Sequence, residues 1–281
     1  MFSVMTRQTR MLTWVVWLFL GALALYSFVT PFATGGALTY LTVLAALTAG
    51  LHAYIRYGAK GAAILFLSTW MISNFAEALS IQTGFPFGHY FYLAMPGPRI
   101  GEVPMLVMLS YFYLAYSSWT IAQVLTHHLS QESLRGIQII LLPLIATFVF
   151  VMWDLVVDPS AATVGHLWVW QAGGTYFNVP ISNFFGWCLV GYLIFQTFAF
   201  FSARFGNQTS TSTRSRSFWL QMVTLYGIEA MTVLLRGLYA RGNVATNHSM
   251  ALIACFTMGF VVVLSLYSLY YNSSERYEEL T

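Results

Sequence analysis

Long apolar runs, separated by short polar or glycine-rich segments, dominate the hydrophobic pattern of the chain. A helix that crosses a lipid bilayer needs about 20 mostly apolar residues. Eight stretches meet this requirement, and they cover residues 11–29, 36–57, 61–81, 102–126, 134–157, 180–201, 218–239 and 248–271. The pattern therefore predicts an all-α, polytopic integral membrane helix bundle of about eight transmembrane helices, forming a single membrane domain over residues 1–281.

The composition excludes several classes of protein. Hydrophobic residues make up 58% of the chain and charged residues only 7%, whereas soluble domains carry about 25% charged residues. The chain therefore cannot cover a water-facing surface as an ordinary globular enzyme does. Its net charge of +3 is small and its 12 basic residues are dispersed, so we expect no nucleic-acid partner.

The distribution of basic residues predicts the orientation in the membrane, because cytoplasmic loops are enriched in Lys and Arg. With the N-terminus inside, the cytoplasmic segments hold Arg7, Arg10, Arg56, Lys60, Arg135, Arg204, Arg214, Arg216 and Arg276. The outer side and outer helix ends hold only Arg99, Arg236 and Arg241. We therefore expect both termini to be cytoplasmic. A separate expectation is that the membrane is the cell membrane of a bacterium or an archaeon.

Two segments on the outer side, residues 82–101 and 158–179, are rich in aromatic residues, glycine and proline. One interpretation is an aromatic belt at the level of the lipid headgroups. Another is that the two segments pack together as a lid over a cavity that opens to lipid, because irregular backbone at membrane depth must be buried in protein or line a cavity. Both interpretations stay open at this point.

Asp154 and Asp158 are the most informative acidic residues. Their spacing of four places them on one helical face, within about 6 Å of each other. Two carboxyl groups so close in a poorly hydrated site cannot both ionise easily, so we expect one to hold its proton near neutral pH. The alternative is that Asp158, which precedes Pro159, only ends the helix.

Other polar residues lie inside predicted spans, where ionisable groups are costly and usually functional. Asn74 and Glu77 share a helical face, as do Glu229 and Arg236. Alternating spans bring one set of polar residues together in the outer half of the bilayer, beneath the aromatic segments: Glu77, Asp154, Asp158, Asn183 and Arg236. Alternatives are that Glu77 pairs with Arg236 in a purely structural role, or that Arg236 extends to the interface.

Motifs for known cofactors do not occur in the chain. It contains no HxxxH or HExxH spacing, no Walker lysine and no GxGxxG. His89 and His166 lie in the two outer segments, but no ligand spacing connects them. We therefore expect no metal and no cofactor.

Carboxylic acids, aromatic rings and amides in a cavity that opens to lipid suit the protonation of a carbon–carbon double bond. A neutral acid donates the proton, aromatic faces stabilise the tertiary cation, and a second carboxylate orients water. The same groups also suit a membrane isoprenoid cyclase or isomerase, which excludes water, or a proton-coupled carrier of a lipophilic solute. These alternatives stay open on the residues alone.

Three stretches carry a resemblance to a known family: EALSIQTGFPFGHYFY from residue 77, WDLVVDPS from residue 153, and WVWQAGGTYFNVPISNFFGW from residue 168. They resemble the CruF-type carotenoid hydratase family, which includes bisanhydrobacterioruberin hydratases and γ-carotene 1′-hydratases, over about spans two to eight. The resemblance implies a cofactor-independent hydro-lyase that adds water to the terminal 1,2 double bond of a linear carotenoid end and gives a tertiary hydroxyl. The chain has Phe177-Asn178 where an aromatic residue followed by glycine is expected.

Together these observations predict a site for a lipophilic carotenoid within membrane lipid. The predicted catalytic residues, as acid and water-orienting groups, are Asp154, Asp158 and Glu77, and the sequence does not decide which of them donates the proton. The predicted substrate-binding residues are Asn74, His89, Tyr90, Tyr92, Trp168, Trp170, Tyr176, Asn183, Glu229 and Arg236.

Overall fold

The computed structural model describes residues 7–29, 37–129, 133–205, 215–239 and 243–278. Its helices are α1 Arg7–Val29, α2 Ala37–Thr83, α3 Met105–Leu125, α4 Gln138–Asp158, α5 Ile181–Phe205, α6 Arg216–Tyr239, α7 Val244–Ala254 and α8 Phe260–Glu278. A π-helical turn, Pro159–Val164, extends α4, and another, Cys255–Gly259, joins α7 to α8. Arg214 and Arg241, used above to predict the orientation, lie outside the described residues.

The structure confirms the all-α membrane bundle. Within the described residues, seven helices are long and apolar enough to cross a membrane, rather than the eight expected. The difference arises because the predicted second and third spans both lie in α2, which has 47 residues. A straight helix of that length would extend about 70 Å, more than twice the thickness of a bilayer core.

The chain reverses direction inside α2. Gly58 has the non-helical dihedrals φ 67° and ψ 179°, which a residue without a side chain adopts readily. Before it, the Tyr57 hydroxyl accepts a hydrogen bond from Trp119 at 3.0 Å. After it, Phe66 contacts Phe112 with ring centroids 5.0 Å apart. The chain therefore turns back along α3, and the two halves of α2 are residues 37–57 and 59–83.

Helix α3 lies at the centre of the bundle. It is buried over almost its whole length, because α2, α4 and α6 pack against it. The outward faces of the other helices carry large exposed apolar side chains, such as Trp14, Phe75 and Phe185, of which 66–71% is accessible. Such faces suit lipid tails, which are as apolar as the side chains themselves.

The two aromatic segments, residues 82–101 and 158–179, pack against each other. Strand β1, Tyr90–Tyr92, pairs antiparallel with β4, Trp168–Trp170, in a register that sets Tyr90 opposite Trp170 and Tyr92 opposite Trp168. Strands β2, Arg99–Ile100, and β3, Val103–Pro104, form a second antiparallel pair that leads into α3. The paired β1 and β4 strands join the end of α2 to the segment between α4 and α5.

The orientation of the bundle stays a prediction, and reporter fusions test it. Fusions after Lys60 and Arg135 are expected to report the cytoplasm, because basic residues are concentrated on that side of the bundle. Fusions after Gly97 and Gly173 are expected to report the outer side. A fusion to an exposed residue of the N-terminal helix, Arg10, provides the cytoplasmic reference. A cytoplasmic signal at Gly97 would contradict the predicted orientation.

Candidate functional site

Two aspartates and an asparagine form a buried acid cluster at the C-terminal end of α4. Asp154 and Asp158 lie one helical turn apart, and Asn183 lies in the first turn of α5. The Asn183 side-chain nitrogen donates to Asp154 Oδ2 at 2.9 Å and to Asp158 Oδ2 at 2.6 Å. All three side chains are buried, with 0–3% of their surface accessible. One amide thus fixes both carboxyl groups.

The two carboxyl groups, here called the acid pair, also contact each other within hydrogen-bonding range. A hydrogen bond between two carboxyl groups requires a proton on one of them, because an ionised carboxylate only accepts. Asp154 Oδ1 is buried and has no hydrogen-bond partner among the described residues. The described residues thus engage Asp154 through Oδ2 and leave Oδ1 without a partner.

Glu77, near the C-terminal end of α2, accepts hydrogen bonds from three phenol groups. Tyr92 donates to Oε2 at 2.7 Å and Tyr111 donates to Oε1 at 2.8 Å, and Tyr90 also donates to Oε2. Glu77 is 4% exposed. Both of its oxygens are therefore engaged, in contrast to those of Asp154.

The alternation of side chains along β1 explains two of these three bonds. Residues i and i+2 of a strand point to the same face, so Tyr90 and Tyr92 both face Glu77 while Phe91, between them, is 42% exposed. Burial raises the pKa of the Tyr90 and Tyr92 phenols well above the usual value for tyrosine, and the nearby charge of Glu77 is the second-largest cause. Both phenols therefore keep their protons and remain donors.

The acid pair and Glu77 belong to one site. Glu77 lies within electrostatic range of both aspartates, and Tyr92 within range of Asp158. The structure therefore brings together the three residues predicted to be catalytic, although Glu77 lies on α2 and the two aspartates on α4.

An aromatic wall lies beside these carboxyl groups, centred on Trp187, one turn after Asn183 on α5. The ring of Trp187 stacks on Tyr111 with centroids 4.6 Å apart and an angle of 9°. It also contacts Phe150 at 4.8 Å and Trp153 at 5.9 Å. Sequence reasoning did not identify Trp187, although its position four residues after Asn183 places both on one helical face.

Tyr111 was also not identified from the sequence, because the predicted span contains several tyrosines. Tyr113 contacts Glu229, and the Tyr116 hydroxyl lies 2.7 Å from His52 Nδ1. Successive residues of a helix differ by about 100° in direction, so each tyrosine meets a different helix. Only the packing of α3 against α2 shows that Tyr111 is the one that contacts Glu77.

Glu229 and Arg236 form a separate cluster on α6. Trp153 donates from its ring nitrogen to Glu229 at 3.3 Å, and Arg236 lies within electrostatic range of Glu229. Glu77 is held by tyrosines instead, so the alternative that it pairs with Arg236 is not observed. Trp153 connects the Glu229 cluster to the aromatic wall.

The other predicted binding residues are divided between the site and its surroundings. Tyr176 donates to the Leu155 carbonyl at 3.0 Å, and Trp170 donates to the Phe87 carbonyl at 3.1 Å. Trp168 contacts the ring of Tyr92.

The two histidines of the predicted site lie apart from the carboxyl groups' hydrogen bonds. His89 packs against Gly84, and His166 is exposed. Among the described residues, no group of three potential metal ligands comes together.

Two predicted positions near the site depart from simple expectations. Asn74 does not bond to Glu77, and its side-chain nitrogen has no partner among the described residues. Asn178, where glycine is expected, has φ 68°. Asparagine is one of the few residues that adopt this left-handed conformation readily, so the turn before α5 keeps its shape.

Comparison with known proteins supports the resemblance noted in the sequence. The sequence profile of the carotenoid biosynthesis protein family matches residues 36–259. Bisanhydrobacterioruberin hydratase from Haloarcula japonica is 29% identical over 142 residues, which make up 50% of this chain and 46% of the relative. The match thus spans about half the length of this curated relative, and no solved structure matches the chain. Because the family profile covers most of this chain, the chain belongs to the carotenoid biosynthesis protein family.

Proposed function

We propose that this protein hydrates the terminal 1,2 double bond of a linear carotenoid end by acid catalysis. The observation that carries the proposal is the buried acid pair, in which Asn183 holds both carboxyl groups and no described residue engages Asp154 Oδ1. Membership of the carotenoid biosynthesis family and the similarity to a protein named as a hydratase support this choice of substrate and reaction.

The reaction proceeds in two steps. The protonated carboxyl group of Asp154 donates its proton to C2, and the electron pair of the C1=C2 bond forms the new C–H bond. The tertiary cation left at C1 then takes the oxygen of a water molecule. That water gives its second proton to the acid pair, which restores the starting state without a net change of protons. Asn183 positions both carboxyl groups, and Asp158 accepts the returning proton and passes it to Asp154.

Glu77 has a different role from Asp154 in this mechanism. Its two oxygens already accept three phenol hydrogen bonds, so it is not placed to deliver a proton. Instead, Glu77 supplies a fixed negative charge near the developing cation, and such preorganised charges stabilise transition states strongly in a site that excludes water.

Aromatic rings line the proposed channel for the polyene. Tyr90, Tyr92, Trp168 and Trp170 form the outer wall through the β1–β4 pair, and Trp187 lies on the inner side with Tyr111. The negative faces of aromatic rings attract cations, and each such contact contributes about 0.5–2 kcal/mol of interaction energy. The cation at C1 therefore forms in surroundings that favour it while the polyene contacts apolar surface.

The origin of the hydroxyl oxygen tests the proposal. Purified protein is incubated with lycopene, and separately with bisanhydrobacterioruberin, in ¹⁸O-labelled water under nitrogen with a chelator present. We expect a tertiary alcohol that carries the label, because the oxygen comes from water and neither oxygen nor a metal takes part. Boiled protein and protein incubated in unlabelled water are the controls.

Each other outcome identifies a rival reaction. A product of unchanged mass would indicate a cyclase or isomerase, which protonates the same bond but excludes water. Uptake into vesicles without a product would indicate a carrier. An alcohol that requires molecular oxygen, or that is lost with the chelator, would contradict acid catalysis and point to a metal-dependent hydroxylase near His89 and His166.

A further inference from the structure

Glu229 is a carboxyl group inside a membrane span, and the proposed mechanism leaves it without a role. It lies near the middle of α6 and is half-buried. Its contacts with Tyr113 and Trp153 direct it toward α3 and α4. Ionisable groups at such a depth are costly and usually have a function. The function of Glu229 follows from what its partners contact in turn.

Three side chains converge on the carboxyl group of Glu229. Trp153 donates from Nε1 to its Oε2 at 3.3 Å, and the Tyr113 hydroxyl lies within hydrogen-bonding range of the same group. Arg236, two turns later on α6, lies within electrostatic range. Trp153 is 9% and Tyr113 4% exposed. Glu229 therefore satisfies buried donors from two other helices.

The ring of Trp153 connects Glu229 to the aromatic wall. Trp187, at the centre of that wall, contacts Trp153 at 5.9 Å, Phe150 at 4.8 Å and Tyr111 at 4.6 Å between ring centroids. Phe150 has no polar group, but the other two rings each donate to a carboxyl group, since Tyr111 donates to Glu77 at 2.8 Å. Trp187 is therefore held between two rings that are fixed by different carboxyl groups.

The two carboxyl groups hold the wall in a similar way from two sides of α3. Tyr111 contacts Glu77, and Tyr113 contacts Glu229. Residues two apart in a helix differ by about 200° in direction, so these tyrosines point to nearly opposite faces of α3. Helix α3 therefore lies between Glu77 on α2 and Glu229 on α6, and the rings of the wall join the two carboxyl groups.

The orientation of the wall matters for the proposed reaction. An aromatic ring is negative on its face and positive at its edge, so it attracts a cation only where the face is presented. Trp187 and Tyr111 line the inner side of the proposed polyene channel. A rotation of the Trp187 ring would therefore reduce the attraction for the cation at C1, and groups that prevent this rotation contribute to the reaction.

We infer that Glu229 is a positioning residue that holds Trp153, and through it the Trp187 ring, in the orientation that favours the cation. This inference rests on the proposed hydratase function and adds a residue to its machinery. The sequence placed Glu229 among the substrate-binding residues, whereas in this role it acts through Trp153 and does not touch the carotenoid.

Two polyene analogues test this role, because they have the same shape and differ in charge. One ends in a trimethylammonium group, whose nitrogen takes the place of the cationic C1, and the other ends in a neutral tert-butyl group. Their Kd values are measured for the unaltered protein and for Glu229→Met, which removes the acceptor of the Trp153 N–H group. We expect the preference for the ammonium analogue to fall about fivefold, as for the loss of one cation–π contact.

Binding of the tert-butyl analogue should stay unchanged in Glu229→Met, because an apolar end does not depend on the ring face. Hydration of lycopene by the same variant should show a lower kcat with an unaltered KM, since the wall acts on the transition state rather than on the neutral substrate. A residue that only supports the fold would not separate the charged analogue from the neutral one.

Matched variants separate positioning from other effects. Glu229→Gln keeps an oxygen that accepts the Trp153 N–H bond and should keep the preference of the unaltered protein. Tyr57→Phe removes the acceptor of another buried indole, Trp119 at 3.0 Å, which lies outside the aromatic wall, and it should also keep the preference. If Glu229→Met is poorly folded, the double variant with Arg236→Met replaces it, because no unpaired charge is then left in the span.

The outcomes are distinguishable. An unchanged ammonium preference in Glu229→Met, or an equal loss of both analogues, would overturn the positioning role and leave the hydratase function intact. A loss in Glu229→Gln as large as that in Glu229→Met would show that the charge acts directly, and it would also overturn the role. Absence of alcohol from the unaltered protein would overturn the proposed function, and with it this inference.

Discussion

Replacing Asp154 by asparagine is expected to reduce carotenoid hydration by about 10²-fold or more. The substitution keeps the size of the side chain and leaves an oxygen that accepts the 2.9 Å bond from Asn183, but it removes the proton that the mechanism delivers. The rate of alcohol formation from lycopene, measured at equal amounts of folded protein, gives the effect.

Glu102→Gln is the matched control for this variant. Glu102 is an exposed carboxyl near the β2–β3 pair on the same side of the bundle, so its loss should leave turnover almost unchanged. If Asp154→Asn converts lycopene at a rate near that of the unaltered protein, Asp154 is not the acid. That result would contradict the proposed mechanism, whatever the effect of Glu77→Gln.

Replacing Gly174 by alanine is expected to disrupt the turn that leads into α5. A Cβ atom at this position would lie 2.0 Å from the Val179 carbonyl carbon and 2.2 Å from the Pro180 nitrogen, and backbone atoms cannot move aside as a flexible side chain can. Overpacking of this kind costs about 1–3 kcal/mol, and sometimes more. Because Asn183 follows three residues after Pro180, we expect loss of hydration activity together with a lower melting temperature.

Gly21→Ala provides the comparison for the glycine variant. A Cβ atom at Gly21 would have nothing within 4 Å, and alanine is favoured over glycine inside a helix by about 0.5–1 kcal/mol. Its melting temperature should therefore be equal to or slightly above that of the unaltered protein. A Gly174→Ala protein with normal stability and activity would show that the turn tolerates a side chain and would contradict the tight packing of Gly174 on Val179.

Local regularities explain which parts of the architecture could be predicted from the sequence. A span in lipid must satisfy its backbone groups internally and expose apolar side chains, so the apolar runs predicted the helices α1 and α3–α6 closely. The reversal at Gly58 was predicted only as a break between two spans. That the helix continues on both sides of this residue, so that α2 holds both spans, depends on its dihedral angles, which the apolar pattern does not specify.

The candidate site shows the same division. The spacing of Asp154 and Asp158 alone placed two carboxyl groups on one helical face, because an α-helix repeats every 3.6 residues. The prediction that Asn183 lies near them followed from alternating spans. In contrast, the engagement of Glu77 by Tyr90, Tyr92 and Tyr111 requires the register of β1 and the packing of α3, which are set by contacts distant in the chain.

The sequence by itself determined the class of protein, the helical character of its spans and the acid pair, since each depends on composition or on the short-range geometry of one helix. Only the tertiary structure decided that, among the described residues, Asp154 Oδ1 has no hydrogen-bond partner while both oxygens of Glu77 are engaged. It also placed Trp187 against Tyr111, which bonds to Glu77, and against Trp153, which bonds to Glu229. These differences arise from side chains of separate helices and strands meeting in one buried volume, where the partner of each polar group is fixed by packing rather than by its neighbours in the chain.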